Sequence, residues 1–206
     1  ASVDLSRNEV IWSYRATPRY LKEAFKVWQA PDEETPPLEP RDPRLLDGEI
    51  MISGDKVLVA PREMSALLCL DLYTGVVRWE RPLNDLRYIA TSNDDSVLLI
   101  GRSKIRSINL ATGRRNWPDV SLPAGSAPSG RGFGSGDKYF LPLSTAELAV
   151  VDIASGAIES RLKSNDAFPP GNLICVSDYV VSQSVDRLEI FEQLSFAVSQ
   201  AKAELE

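Results

Sequence analysis

Histidine is absent from the sequence, and cysteine is scarce, with two residues among 206. Without histidine the chain lacks the commonest general base and the commonest zinc ligand, which excludes histidine-dependent catalysis. The two cysteines, Cys69 and Cys175, lie 106 residues apart in apolar stretches. This arrangement favours two buried free thiols, with a disulfide as the alternative. A binding or scaffolding role is favoured over catalysis, and no catalytic residue, metal ligand or cofactor is predicted.

Long apolar runs and basic blocks are also missing. No stretch of about 18 apolar residues is present, so direct membrane insertion is not expected. Lysine and arginine total 23 against 29 aspartates and glutamates, and the resulting net charge of −6 argues against nucleic acid as a partner. The first residues carry neither the basic segment nor the apolar core of a signal peptide.

An internal repeat organises most of the chain. An apolar segment ends in Asp or Asn, Gly follows four residues later, and Trp follows after four more. The copies are Asp71, Gly75 and Trp79; Asn109, Gly113 and Trp117; Asp152 and Gly156 with Ser160 at the Trp position; and Asp4 and Trp12 with Asn8 at the Gly position. Leu188 to Glu192 form a fifth, degenerate copy.

The spacing of this repeat predicts the fold class. Successive acidic positions lie 67, 38, 43 and 40 residues apart. About 40 residues is the length of a four-stranded propeller blade. Asp or Asn before Thr-Gly or Ser-Gly is typical of a tight turn between strands. The sequence therefore predicts an all-β fold, a partial β-propeller of four-stranded antiparallel blades with a short C-terminal helix.

The repeat also predicts the organisation of the chain. Residues 1–15 are expected to be the last strands of a preceding blade, and residues 49–192 three complete blades and one incomplete blade. The complete blades are expected at about 49–84, 87–122 and 127–163, and the incomplete one at 172–192. Within the second complete blade, strands are predicted at Arg87–Thr91, Ser96–Gly101, Lys104–Asn109 and Arg114–Trp117.

The recurring tryptophans have a packing reason. A blade is a small twisted sheet that cannot bury both faces alone. A large flat side chain on its outermost strand can fill the wedge between neighbouring blades. The alternative is that Trp12, Trp79 and Trp117 are three unrelated core aromatics.

The repeat resembles the tryptophan-docking repeat of the quinoprotein-like (PQQ-like) β-propellers. This family includes bacterial quinoprotein alcohol dehydrogenases and the lipoprotein subunit of the outer-membrane β-barrel assembly machinery. The stretch from Ala127 to Leu143, with Gly171 to Leu173 and Val181 to Gln183, is similar to large bacterial propeller proteins that continue into tetratricopeptide-type helices. The resemblance implies rings of about six to eight blades, so additional blades are expected to complete this one. They would come from another chain, a copy of this chain or a preceding portion.

Two segments lie outside the repeat. Residues 16–48 are predicted to be a Pro-rich acidic insertion with a short helix at Arg19 to Gln29, because residues 31–43 hold five prolines and five carboxylates. The insertion is either a mobile loop or a partner-binding arm. Residues 193–206 carry apolar side chains at helical spacing and are predicted to form the C-terminal helix.

Two patterns that suggest a cofactor site are better explained by turns and loops. The glycines between Gly125 and Gly136 lack the spacing of a dinucleotide or phosphate loop, and a strand rather than a helix follows them. Asp94 and Asp95 are an acidic pair in a predicted hairpin turn, where such residues are ordinary turn formers. The adjacent cysteines that the resemblance implies for quinone-cofactor enzymes are absent.

These observations predict a non-catalytic protein-interaction scaffold, a PQQ-like β-propeller segment of a larger bacterial protein. Its expected partners are proteins or the additional blades that complete the ring, with no nucleic acid. Its expected location is periplasmic or otherwise extracytoplasmic. The alternative is a degenerate or partial quinoprotein (PQQ-dependent) dehydrogenase. A third hypothesis is a ligand-sensing domain attached to a signalling module.

Overall fold

The computed structural model describes most of the chain in two compact units. The described residues are 2–4, 6–7, 9–14, 49–61, 66–82, 85–93, 95–163, 168–177 and 179–192. Unit 1 comprises Ala1–Val97 and Ile108–Arg114, and unit 2 comprises Leu98–Ser107 and Arg115–Glu206. Throughout the described ranges the regular structure is β-strand, with no helix. The predicted all-β fold is confirmed, whereas both predicted helices lie outside the described residues.

Unit 1 begins with a pair of antiparallel strands followed by a four-stranded antiparallel sheet. The pair is β1 (Ser2–Asp4) and β2 (Glu9–Trp12). The sheet, called sheet I, pairs its strands in chain order: β3 (Glu49–Ser53), β4 (Lys56–Ala60), β5 (Ala66–Asp71) and β6 (Val77–Pro82). The first three strands of the sheet are short and rich in Val, Ile and Leu, as expected for a meander joined by tight turns.

Sheet II is the second four-stranded meander and contributes residues to both units. Its strands are β7 (Leu86–Ser92), β8 (Ser96–Gly101), β9 (Lys104–Asn109) and β10 (Val120–Ser121). The prediction of a strand at Arg114–Trp117 was wrong. The Asn116 N–H still bonds the Ser107 carbonyl, but Pro118 has no N–H to donate, and regular pairing resumes only where Val120 meets Ile105.

Unit 2 continues with sheets III and IV, again in meander order. Sheet III contains β11 (Phe133–Ser135), β12 (Lys138–Leu143), β13 (Glu147–Asp152) and β14 (Ile158–Lys163). Sheet IV contains three described strands, β15 (Asn172–Val176), β16 (Tyr179–Gln183) and β17 (Leu188–Glu192). None of the described sheets closes on itself.

The buried side chains concentrate on the middle strands of the four-stranded sheets. In sheet I, Leu67, Leu68 and Cys69 on β5 are fully buried. Val57, Leu68 and Leu70 form a core cluster against which Trp12 and Tyr14 pack. Burying such side chains is the main favourable term that stabilises these small sheets.

The two cysteines are not joined in a disulfide, and they differ in exposure. Cys69 is buried, as predicted, but Cys175 is exposed, so the prediction of a second buried thiol was wrong. Cys175 lies on β15, the first strand of sheet IV, one residue before the strand ends at Val176. The corresponding residue of sheet I, Ile52, is 62% exposed. An apolar run predicts a strand, but it does not tell which end of the strand faces solvent.

Two of the glycines between Gly125 and Gly136 allow close backbone contact. A Cβ at Gly130 would collide with the backbone of Gly171, and a Cβ at Gly132 would collide with the Phe140 carbonyl. Leu173 N–H donates to the Arg131 carbonyl at 2.7 Å in the same region. Glycine is therefore needed at Gly130, where the backbone before sheet III approaches the backbone before sheet IV, and at Gly132, where the backbone approaches β12.

Candidate functional site

Each repeat motif builds a tight turn after the third strand of its sheet. In sheet I, Asp71 ends β5, and its Oδ1 accepts hydrogen bonds from the N–H of Tyr73 at 3.0 Å and from the N–H and hydroxyl of Thr74 at 2.9 and 3.0 Å. The Gly75 N–H donates to the Asp71 carbonyl at 2.9 Å. Aspartate suits this position because its short side chain satisfies backbone donors two and three residues ahead.

The same turn recurs in three other copies of the motif. The side chains of Asp4, Asn109 and Asp152 each accept hydrogen bonds from a backbone N–H and a hydroxyl within the next three residues. Gly113 and Gly156 donate to the carbonyls of Asn109 and Asp152 at 2.8 and 2.7 Å. Asn109 shows that the turn needs the side-chain oxygen and not a negative charge.

Glycine is required in these turns for two reasons. Gly75, Gly113 and Gly156 have φ of +70°, +66° and +74°, a conformation that costs other residues energy. A Cβ at Gly75 would lie 2.6 Å from the ring of Trp12, and one at Gly113 would lie 2.7 Å from the ring of Trp79. A larger residue would therefore be strained and would also displace the tryptophan.

Trp12 and Trp79 dock on these turns in the same way. Nε1 of Trp12 donates to the Leu72 carbonyl at 2.8 Å, and Nε1 of Trp79 donates to the Leu110 carbonyl at 2.8 Å. Each acceptor directly follows the Asp or Asn of the motif. Each indole therefore covers the glycine with its ring and holds the turn with its N–H. Both contacts lie within unit 1, and each joins a strand to the turn of the next sheet in the chain.

Trp117 docks differently. A Cβ at Gly156 would meet the Cη2, Cζ2 and Cζ3 atoms of Trp117, the far end of the indole, whereas in the other two docks it meets Cγ, Cδ2 and Cε3. Nε1 of Trp117 is buried and finds no hydrogen-bond partner in the described part of the chain. The third dock thus keeps the ring contact without the hydrogen bond.

A repeated β-bulge aims the docking residue. The register shifts between Ser2 and Val3, between Cys69 and Leu70, and between Val150 and Val151. These are the same motif positions in three different sheets, and the residues paired there are Trp12, Trp79 and Ser160. A bulge turns the side chain that follows it, which explains how the motif spacing directs the indole toward the next turn.

Arg81 reinforces the dock of Trp79, and the sequence analysis missed it. Its Nε donates to the Gly113 carbonyl at 2.6 Å, and its Nη2 donates to the Thr112 carbonyl at 3.1 Å. Arg81 lies two residues after Trp79 on β6 and therefore shares its face of the strand. The two-residue spacing from Trp79 was the sequence signal that could have identified Arg81.

The turn between the first two strands is a second feature that the sequence analysis missed. The letters Ser-Gly-Asp-Lys occur at 53–56 and again at 135–138. The carbonyls of Asp55, Asp95 and Asp137 accept hydrogen bonds from the N–H of Leu72, Leu110 and Ile153 at 2.9, 2.8 and 2.9 Å. The first turn of sheets I, II and III therefore holds the residue that follows the motif Asp or Asn.

Ion pairs gather around two of the motif aspartates. Arg78 bonds both Asp71 and Asp55, and its hydrogen bond is the main reason that the pKa of Asp71 lies well below its ordinary value. In sheet III, Lys138 lies 2.9 Å from Asp152, whose hydrogen bond from Ser155 and contact with Lys138 lower its pKa to about 2. These carboxylates are ionised at neutral pH and serve the turns, not proton transfer.

The described residues do not fit a quinone and calcium site. Among them, no three His, Cys, Asp or Glu side chains come together as metal ligands. Burial raises the pKa of the Cys69 thiol to about 11, which leaves it unreactive at neutral pH. Asp95 lies in the hairpin turn that the sequence predicted, with its N–H bonded to Asn93.

A groove of about 440 Å³ lies beside the start of sheet IV. Phe168, Asn172, Gln183 and Arg187 contribute to its lining. The Arg187 guanidinium lies 4.0 Å from the centre of the Phe168 ring, and its Nη1 lies 3.4 Å from a Glu189 oxygen. The arginine is therefore engaged within the protein, and the groove lining combines amide, hydroxyl and carboxylate groups with apolar side chains.

Comparisons with known proteins bear on the fold. No protein-family model matches the chain, and no curated protein matches its sequence. Among solved structures, BamB from Moraxella catarrhalis is similar at a TM-score of 0.55 and 18% identity, over 69% of this chain and 44% of that one. The chain has the PQQ-like β-propeller fold.

Two computationally designed proteins are also similar in structure. Ika8 gives a TM-score of 0.54 at 13% identity, over 69% of this chain and 44% of that one. Ika4 gives a TM-score of 0.52 at 17% identity, over 76% of this chain and 96% of that one. The chain thus spans less than half of BamB and Ika8. Within the described ranges, no helix is long and apolar enough to cross a bilayer.

Proposed function

We propose that this chain is a non-catalytic protein-interaction scaffold, a PQQ-like β-propeller segment of a larger bacterial protein that acts outside the cytoplasm. The observation that carries the proposal is the exposed apolar surface of sheet IV. Ile174, Val176, Leu188 and Ile190 are each more than half exposed. Exposed apolar side chains grouped on one sheet mark a surface that another protein covers.

The pairing in sheet IV places these side chains on one face. Ile174 is opposite Val181, and Val181 is opposite Ile190. The corresponding row of sheet I is Met51, Leu58 and Cys69, of which the last two are fully buried. The face that is covered in sheet I is therefore open in sheet IV, which supports a protein partner or a further blade as its occupant.

The test is calorimetric titration of the purified chain with pyrroloquinoline quinone and Ca²⁺, separately and together, followed by visible absorbance. A scaffold predicts no heat of binding and no bound chromophore. Stoichiometric quinone binding with calcium-dependent oxidation of an alcohol would overturn the proposal in favour of a quinoprotein dehydrogenase.

A further inference from the structure

The groove beside the start of sheet IV has a first wall that is held firmly in place. This wall is the backbone that leads into β15. The Ser129 hydroxyl donates to the Pro170 carbonyl at 2.6 Å, and the Gly171 N–H donates to the Ser182 hydroxyl at 3.0 Å. A Cβ at Gly171 would collide with the Gln183 carbonyl, so this wall lies directly against β16. A wall that is already ordered loses little conformational entropy when a ligand binds to it.

The second wall is the turn between β16 and β17, and one side chain links it to the first wall. The Ser184 N–H donates to the Arg187 carbonyl at 2.8 Å, which closes the turn. The Arg187 guanidinium stacks on the Phe168 ring, a favourable contact between a cation and an aromatic face. Phe168 nevertheless remains 56% exposed. The groove is therefore preformed, and part of an aromatic ring is accessible at its surface.

Planar polar side chains supply the hydrogen-bonding groups of the groove. Oδ1 of Asn172 accepts the Arg131 N–H at 2.8 Å, and the Nδ2 group of the same amide is a donor that this bond does not use. The Gln183 amide also combines a donor and an acceptor, and the Asp186 carboxylate adds acceptors. The lining can therefore both donate to and accept from a ligand.

The charges of the lining favour a neutral ligand. The lining contains the carboxylates of Asp186 and Glu189 and one guanidinium, that of Arg187, which lies 3.4 Å from a Glu189 oxygen. An anionic ligand would lie beside Asp186 in a chain whose net charge is −6. A cationic ligand would lie beside Arg187. Neither sign of charge is matched by the groove as a whole.

We propose that this groove binds a neutral carbohydrate. The C–H face of a sugar ring packs against Phe168 and the adjacent Pro169, while neighbouring hydroxyls, each a donor and an acceptor, bond to Asn172, Gln183 and Asp186. The volume of about 440 Å³ lies within the usual range for small-molecule sites. This binding site goes beyond the scaffold function and does not depend on it.

The probes are three neutral trisaccharides, namely maltotriose, cellotriose and chitotriose. Each is titrated into the full chain by calorimetry, at up to about 10 mM sugar. The inference predicts that at least one of them binds and slows hydrogen exchange of the amides at 171–173 and 184–187. Phe168→Ala should weaken binding about tenfold, and Gln183→Ala about fivefold, because they remove the stacking ring and one amide.

Matched variants separate a role in binding from a role in folding. Phe168→Trp keeps an aromatic ring at the site and should bind the sugar within about twofold of the unaltered chain. Tyr73→Ala removes an aromatic that is 70% exposed in the motif turn of sheet I, outside the groove, and it should change the affinity less than about twofold. Trigalacturonate, an acidic trisaccharide, should bind more weakly than the neutral sugars.

Three results would overturn the inference. The first is no binding of any of the three neutral sugars, and the second is equal binding to Phe168→Ala and to the unaltered chain. The third is tighter binding of trigalacturonate or of a trilysine peptide, which would assign the groove to a charged ligand. The quinone titration uses a different ligand, so failure of the scaffold proposal and failure of this one are distinguishable.

Discussion

Trp79 and Trp117 occupy the same motif position in neighbouring sheets, yet they dock differently. Trp79 lies on the regular strand β6, covers Gly113 with the middle of its indole and donates to the Leu110 carbonyl. Trp117 lies before Pro118, outside any strand, and reaches Gly156 only with the far end of its ring. The comparison shows that the motif determines which turn the tryptophan packs against. Strand pairing determines which part of the indole covers the glycine of that turn.

The largest expected effect is the loss of either indole. Trp79→Ala should lower the free energy of unfolding by about 3–5 kcal/mol, because it removes a buried aromatic and leaves a cavity. Trp117→Ala should cost at least about 1 kcal/mol less, since Nε1 of that indole has no hydrogen-bond partner within the described ranges. Urea unfolding followed by circular dichroism measures both. Equal losses would contradict the difference between the two docks.

The next effect concerns the glycine beneath Trp79. Gly113→Ala should destabilise the chain more than Gly54→Ala, by about 1–3 kcal/mol, because a Cβ at Gly113 meets the indole. Gly54 is the matched control, since its φ of +56° is similar and a Cβ there meets nothing within 4 Å. The same unfolding experiment checks this, and equal losses for the two variants would show that only backbone strain matters.

A smaller effect separates the N–H groups of the two tryptophans. Trp79→Phe should cost about 1 kcal/mol more than Trp117→Phe, because Nε1 of Trp79 donates a hydrogen bond, whereas Nε1 of Trp117 meets no acceptor in the part of the chain that the structure describes. Trp117→Phe removes a buried donor that has no partner among the described residues. The free energy of unfolding of this variant should therefore stay nearly unchanged. A larger loss at Trp117 than at Trp79 in paired unfolding curves would contradict the assignment.

The smallest effect is electrostatic. The folded-state pKa of Asp71 is depressed by Arg78, and that of Asp55 is lowered to about 2 by Lys56 and Arg78, so both stabilise the fold above the unfolded pKa of about 3.9. This stability is lost as the pH falls from about 4 through 2. Asp71→Asn introduces the residue that sheet II has at the same motif position, Asn109. It should reduce the loss of unfolding free energy between about pH 4 and pH 2. Unfolding curves at pH 7, 4, 3 and 2 measure it, and an unchanged slope would contradict this account.

Strand positions were the part of the fold that the sequence predicted best. The predicted strands Ser96–Gly101 and Lys104–Asn109 coincide with β8 and β9, because short apolar segments between turn residues have few other structures open to them. The motif turns could be predicted equally well, because Asp or Asn with Thr-Gly or Ser-Gly specifies a local backbone geometry.

Other features depend on register, which the sequence pattern does not contain. The strand predicted to end at Trp117 failed because Pro118 interrupts the pairing with β9. The bulges that aim Trp12 and Trp79 follow from a one-residue shift between strands, and the exposure of Cys175 follows from its position near a strand end. These properties come from how strands align, and the same letters permit several alignments.

The motif Trp and the motif Gly are energetically coupled through the contact between the indole and the glycine. A double-mutant cycle on Trp79 and Gly113 tests it most directly. In the Trp79→Ala background, Gly113→Ala should cost only about as much as Gly54→Ala, about 1–2 kcal/mol, because no indole remains for the new Cβ to meet. If Gly113→Ala lowers the free energy of unfolding equally with and without Trp79, the two residues are not coupled.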